Sequence, residues 1–99
     1  MYVYLSGPIT GEEAPQALFE QAEEEVMVWA EGVGNPMQYG VDPTGDTWPE
    51  LMRKSITLMM ECDAIYMLEG WEGSKGAIME HFLAEELEMP IFFQGNRGI

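Results

Sequence analysis

The stretch "DAIYMLEG", residues 63–70, indicates the fold most directly. It is an almost continuous apolar run between polar ends, which is typical of a central strand in a parallel sheet that is covered on both faces. Such a sheet requires helices before and after the strand, since parallel neighbours are joined by crossover connections. The segments on either side of the run therefore decide whether the interpretation holds.

Helix start signals stand on both sides of this strand. Thr47 and Glu50 form a capping box, and Pro49 suits a first turn, so a helix is predicted from "TWPE" to about residue 61. Ser74 is the expected N-cap of the helix after the strand. The first of these helices is expected to bury Trp48 or Leu51, Met52, Ile56, Met59 and Met60.

The remaining segments extend the same alternation. "YVYLSG" (residues 2–7) and "PIFFQG" (90–95) are predicted strands, "VGNP" (33–36) is a predicted short strand or extended segment, and residues 13–31 are a predicted helix. That helix is expected to bury Ala14, Leu18, Ala22, Val26 and Trp29. The order predicts one α/β domain over residues 1–99. The expected fold is a three-layer, Rossmann- or flavodoxin-like one, with a parallel sheet of about four strands and helices on both faces.

Charge and cysteine content exclude several classes of partner. The net charge is −14, from 18 acidic and 4 basic residues, which disfavours binding to a nucleic acid polymer or an anionic membrane. Cys62 is the single cysteine, so no intrachain disulfide can form. The first residues resemble a strand rather than a signal peptide, and we expect a cytoplasmic protein.

Ligands of open parallel sheets bind beyond the carboxyl ends of the strands. The loops expected there include "SGPITG" (residues 6–11) and "EGWEGSKGA" (69–77), and the second opens a helix. Backbone N–H groups at a helix start can hold a phosphate or carboxylate, to which Ser74 adds a hydroxyl and Lys75 a charge. The alternative is that the glycines only form tight turns. Glu69 ends the central strand at this edge and is a further candidate.

Glu80 occupies an unexpected position in the helix after this loop. Ala77, Glu80, Ala84 and Leu87 are spaced so that they share one helix face, which should be apolar. Burial of a lone carboxylate costs several kcal/mol, so Glu80 needs partners or a role. The alternative is that its side chain leans out to solvent.

Other residues offer less specific signals. His81 neighbours Glu80 but points about 100° away from it around the helix, so neither a catalytic dyad nor a metal site is expected. No cofactor is predicted. Trp48 and Trp71 adjoin loops and either stack on a base or cover a cleft.

Two stretches carry a family resemblance. "YLSGPITG" (residues 4–11) and "CDAIYMLEGWEGSKGAIMEHFLAEEL" (62–87) resemble the nucleoside 2-deoxyribosyltransferase-like superfamily. The chain is most similar to small domains of unknown function of the DUF4406 type, which are often encoded by phages or prophages. The most specific element is the pattern of Ser74, Gly76, Ala77, Glu80 and Ala84.

The resemblance implies an enzyme that acts on a 2′-deoxyribonucleoside or its 5′-monophosphate. Glu80 would attack C1′ and hold the sugar covalently until a second base or water accepts it, and Tyr4 would hydrogen-bond this nucleophile. Homo-oligomers are implied, as is a bacterial host cytoplasm for a phage-encoded protein. The substrate-binding residues expected from the loops and the resemblance are Ser6, Gly7, Pro8, Ile9, Glu69, Ser74, Gly76 and Ala77.

Two positions depart from the enzymes. Ser55 stands where the transferases carry an aspartate that helps to protonate the leaving base, and serine is a poor general acid. Thr10 replaces the arginine of the monophosphate hydrolases. Three hypotheses follow: an N-glycosidic enzyme, a nucleotide-binding module without turnover, and an acidic interaction protein with a vestigial pocket.

Overall fold

Strands and helices alternate along the chain in the computed structural model, which describes residues 1–95. The strands are β1 (Tyr2–Ser6), β2 (Gly32–Gly34), β3 (Ala64–Met67) and β4 (Ile91–Phe93). The helices are α1 (Pro15–Val26), α2 (Trp48–Met59) and α3 (Lys75–Glu86), and short 3-10 turns cover Pro36–Gln38 and Trp71–Gly73. Residues 96–99, which belong to the predicted domain, lie outside the described part.

The sheet is parallel throughout and has the order β2-β1-β3-β4. Every residue of β3 is buried, as the apolar run predicts for a central strand. β1 lies beside it, with Tyr4 opposite Ile65 and Ser6 opposite Met67. The four-stranded parallel sheet and its three helices confirm the predicted α/β fold, in a Rossmann- or flavodoxin-like arrangement.

Alternate residues of the central strands supply two separate cores, one on each face of the sheet. Val3 and Leu5 of β1 pack in one core with α1, while Tyr4 of the same strand packs in the other with α3. Helix α2 contributes to both cores, through Leu51 to the first and Met59 to the second. The α3 face of the sheet is the one that carries the candidate site.

Helix α1 is shorter than the predicted 13–31, and its buried face is displaced. Leu18 and Ala14 are exposed. Both Leu18 and Phe19 are spaced so that they could share a helix face with Ala22 and Val26, and the larger Phe19 is the one that enters the core. Trp29 is exposed because the helix ends before it. The buried residues of α1 are Pro15, Phe19, Ala22 and Val26.

Helices α2 and α3 begin as predicted, and α2 ends at Met59 instead of at about residue 61. The Thr47 hydroxyl accepts from the Glu50 N–H at 3.3 Å while the Glu50 carboxylate accepts from the Thr47 N–H at 2.8 Å. Met60, which was predicted to be buried, is exposed because it lies just past the last turn of α2. Leu87, on the predicted apolar face of α3, is exposed for the same reason. Ile56 is only partly buried.

The outer face of α3 is unusually apolar for a helix that covers a sheet. Ala77, Glu80 and Ala84 face inwards, whereas Ile78, Met79 and Phe82 are exposed.

Within residues 1–95, no helix combines the length and the apolar composition needed to cross a membrane.

Loss of the capping box should destabilise the fold measurably. Thr47→Ala removes an acceptor for the first-turn N–H groups of α2, and we expect the free energy of unfolding in urea to fall by about 1 kcal/mol. Thr57→Ala is the matched control, since this exposed threonine lies inside α2 and its hydroxyl donates to the Arg53 carbonyl at 2.7 Å. Equal losses in the two variants would contradict the role of the cap.

Candidate functional site

A cavity of about 280 Å³ opens beyond the carboxyl ends of β1 and β3. Its volume is at the lower end of the range of small-molecule sites. The wall is built from the loop after β1, the inner face of α2 and the start of α3. It is lined by Gly7, Ile9, Thr10, Trp48, Leu51, Met52, Ser55, Gly73, Ser74, Lys75, Gly76, Ala77 and Glu80.

Glu80 is buried at this cavity and is held by two hydroxyl groups. The Tyr4 hydroxyl donates to Oε2 at 2.8 Å, and the Ser6 hydroxyl donates to Oε1 at 2.6 Å. Tyr4 and Ser6 are alternate residues of β1, so both side chains face α3. Glu80 is 4% exposed, which contradicts the alternative that it leans out to solvent. The ion pairs within residues 1–95 do not involve this carboxylate.

The burial of Glu80 moves its titration towards neutral pH. Desolvation raises the pKa of Glu80 to about 7, although the hydrogen bonds from Ser6 and Tyr4 act in the opposite direction. Burial, and then the nearby charge of Glu80, raise the pKa of Tyr4 well above its usual range. The phenol therefore stays protonated and donates to Glu80 whenever the carboxylate is ionised.

Ser55 is a buried polar group on the cavity wall. It is 1% exposed, and among the described residues no atom meets hydrogen-bond geometry with its hydroxyl oxygen. The hydroxyl nevertheless lies near enough to the Tyr4 phenol to lower the pKa of that group. A buried hydroxyl without a partner is costly, and a ligand in the cavity can supply that partner.

The start of α3 forms one side of the cavity. Ser74 is its N-cap, as predicted, and the Ser74 hydroxyl accepts from the Ala77 N–H at 3.3 Å. A Cβ on Gly76 would lie 2.8 Å from the Met52 sulfur, so glycine allows α2 and α3 to approach closely. The positive end of the α3 dipole thus adjoins the cavity, which favours an anionic group there.

Trp48 and Lys75 meet at the cavity wall. The Lys75 ammonium nitrogen lies 4.0 Å from the centroid of the Trp48 ring, in a cation–π contact. Trp71, the other tryptophan that was expected near a ligand, stacks on His81 with ring centroids 4.5 Å apart and is not part of the cavity wall.

The structure brings most of the predicted site residues together. Tyr4 and Ser6 contact Glu80, and the cavity wall contains Gly7, Ile9, Ser74, Gly76 and Ala77. Pro8 and Glu69 do not line this cavity. Glu69 is exposed beside β4, where its N–H donates to the Gln94 side chain at 2.8 Å, and it lines a separate groove with Gln21 and Glu25 of α1.

Three wall residues of α2 were not among the predicted substrate-binding residues, namely Leu51, Met52 and Ser55. One of them carried a usable signal. Ser55 is four residues after Leu51 and four before Met59, so it is a polar residue on the buried face of α2. The reasoning that singled out Glu80 on α3 applies equally to this serine. Leu51 and Met52 carry no such signal, because apolar residues on a helix face are ordinary core residues.

The free energy of unfolding should fall as the pH rises through neutrality, because the buried Glu80 then loses its proton. The folded state binds this proton more tightly than the unfolded chain does, so the stabilisation is complete below the ordinary glutamate pKa and is lost as the pH rises through about 7. We expect the free energy of unfolding in urea to fall by roughly 3 kcal/mol between pH 4.5 and 8, from this group alone.

Glu80→Gln should abolish most of this decline, because glutamine does not titrate. Glu86→Gln, an exposed change on the same helix, is the control and should keep it. An unchanged pH dependence in Glu80→Gln would show that the decline has another origin.

Comparison with known proteins gives one match. Residues 1–93 match the family model described as "Domain of unknown function (DUF4406)", and the chain belongs to that family. No curated protein and no solved structure matches the chain.

Proposed function

We propose that this DUF4406 protein cleaves or transfers the N-glycosidic bond of a 2′-deoxyribonucleoside or its 5′-monophosphate, with Glu80 as nucleophile. The observation that carries the proposal is the buried Glu80 carboxyl group, which adjoins a small-molecule cavity and accepts one hydroxyl hydrogen bond on each oxygen. The resemblance to the nucleoside 2-deoxyribosyltransferase-like superfamily supplies the substrate class.

The proposed reaction has two displacements at C1′. The ionised Glu80 carboxylate attacks C1′, the C1′–N bond breaks, and its electron pair leaves with the base. The sugar remains as an ester of Glu80 until water or a second base attacks C1′ and releases the carboxylate. The hydroxyls of Tyr4 and Ser6 orient the carboxylate and stabilise its negative charge. Because the pKa of Glu80 is about 7, activity should rise as the pH passes through neutrality.

A 5′-phosphate is proposed to bind at the start of α3. Ser74, Lys75 and Gly76 line the cavity there, and the first N–H groups of a helix attract anions. This arrangement relies mainly on backbone groups, since Lys75 is the single basic side chain of the cavity wall within residues 1–95.

Activity assays should reveal a requirement for Glu80. Deoxynucleosides and their monophosphates, each with and without a free acceptor base, are incubated with the protein, and chromatography measures base release or exchange. Glu80→Gln should lower kcat at least roughly 10³-fold, because no carboxylate remains to attack C1′. Glu86→Gln should retain full activity. Full activity in Glu80→Gln, or no product from any substrate, would overturn the proposed function.

The second candidate is a nucleotide-binding module without turnover. It is favoured by Ser55, whose buried hydroxyl can bind a ligand but is a poor acid for a departing base. In that case a nucleotide raises the melting temperature while no product forms. The third hypothesis, a vestigial pocket, has less support, since Glu80 lines a cavity, accepts a hydrogen bond from Tyr4 and takes part in no ion pair within residues 1–95.

A homo-oligomer is proposed on the basis of α3. Its outer face exposes Ile78, Met79 and Phe82, and Phe82 is 58% exposed. Association of two copies through this face would bury apolar area that a chain of 99 residues leaves uncovered. A cytoplasmic location is also proposed, because Cys62 is a free thiol. A phage or prophage origin stays a prediction.

Light scattering after size-exclusion chromatography should test the oligomer. We expect the wild-type protein to elute as a dimer or larger assembly and Phe82→Lys to shift towards the mass of one chain, 11.2 kDa. Val28→Lys, an equally charged change at an exposed apolar residue outside α3, is the control. A monomeric wild-type protein, or an unchanged mass for Phe82→Lys, would contradict the assignment of this face.

A further inference from the structure

The contact between Trp48 and Lys75 shows that the cavity wall includes a ring face that accepts a cation. The Lys75 ammonium lies 4.0 Å from the ring centroid, and both residues line the cavity that ends at Glu80. Lys75 is exposed at the start of α3 and can turn away, whereas Trp48 is partly buried and anchored at the start of α2. A flat cationic ring that enters the cavity can therefore replace the ammonium on Trp48.

The cavity wall offers few side chains that could protonate a leaving base. Within residues 1–95, Glu80 is the one carboxyl group that lines the cavity, and no histidine lines it. The Lys75 ammonium also lines the cavity, but it lies over the Trp48 ring at the start of α3, where a 5′-phosphate would pair with it. Glu80 must be ionised to attack, so it cannot protonate the leaving base in the same step. Ser55 presents a hydroxyl beside Tyr4, and a hydroxyl can donate a hydrogen bond but is a poor proton donor.

Resting on the proposed function, we propose that the base of the substrate is a cationic heteroaromatic ring that stacks on Trp48 in place of the Lys75 ammonium. Pyridinium nucleotides and N7-alkylated purine nucleotides have this chemistry. The released Lys75 then pairs with the 5′-phosphate at the start of α3. The protein has a net charge of −14, and a cationic ring lowers the net negative charge of the nucleotide and therefore its repulsion by the protein.

A cationic base can leave without being protonated, so the reaction needs no general acid. When the C1′–N bond breaks, its electron pair passes to the ring nitrogen and cancels the positive charge, so the base leaves as a neutral molecule. Glu80 forms the new C1′–O bond. Water then attacks C1′, Glu80 regains its electron pair as a carboxylate, and one proton goes to solvent.

Matched nucleotides test the turnover part of the proposal. The 5′-monophosphate of nicotinamide 2′-deoxyriboside is compared with 2′-deoxyuridine 5′-monophosphate, and 7-methyl-2′-deoxyguanosine 5′-monophosphate with 2′-deoxyguanosine 5′-monophosphate. We expect kcat/KM, divided by the uncatalysed rate, to be at least about tenfold higher for the cationic member of each pair. If cleavage depends on Glu80 but this ratio is equal within both pairs, the proposal of a cationic base is overturned and the proposed function stays intact. Cleavage of none of these nucleotides, nor of any deoxynucleoside or deoxynucleotide, would overturn the proposed function instead.

Binding to Glu80→Gln tests the Trp48 contact without turnover. Calorimetry should show a preference for the 5′-monophosphate of nicotinamide 2′-deoxyriboside over 2′-deoxyuridine 5′-monophosphate. Trp48→Leu should reduce this preference roughly two- to tenfold, while Trp48→Phe, which keeps a ring, should retain part of it.

Trp71→Leu is the control, because that ring stacks on His81 outside the cavity wall. Equal affinities for the two nucleotides, or a preference unaffected by a folded Trp48→Leu protein, would overturn the stacking role. A Trp48-dependent preference in a protein that cleaves nothing would support the ring site while the proposed function fails.

Discussion

The burial of one carboxyl group between α3 and the central sheet governs the arrangement of this protein. Glu80 lies within the core that α3 shares with β1, where a carboxylate without partners would cost several kcal/mol. The hydroxyls of Tyr4 and Ser6 offset that cost because consecutive inward positions of β1 carry them. Ala77 and Ala84 flank Glu80 on α3, and these small side chains allow the helix to pack closely on the strand.

The same desolvation links stability and reactivity. Burial raises the pKa of Glu80 to about 7, so the fold is most stable when the group is protonated. A nucleophilic role requires the ionised form, which the fold tolerates at some cost in stability. Functional sites commonly carry such a cost, because a carboxylate that is poorly solvated by water is free to react with a bound substrate.

Charge is distributed unevenly around the cavity in spite of the acidic surface. The start of α3 and Lys75 offer positive potential for an anion, and the Glu80 carboxylate lies one and a half turns further along the same helix. The Trp48 ring adds a face that attracts a cation. These charges are the basis on which we propose a ligand with an anionic end and a cationic ring.

The amino-acid sequence by itself determined the features that depend on neighbours along the chain. The apolar run of β3, the capping box of α2 and the misplaced Glu80 on α3 are local patterns, and each was visible without a structure. Tertiary packing alone decided which of several equivalent helix faces was buried, as in the choice of Phe19 over Leu18, and where each helix ended. It also decided that Ser55 lines the same cavity as Glu80 and that Glu69 does not, because such proximity depends on how strands and helices pack in three dimensions.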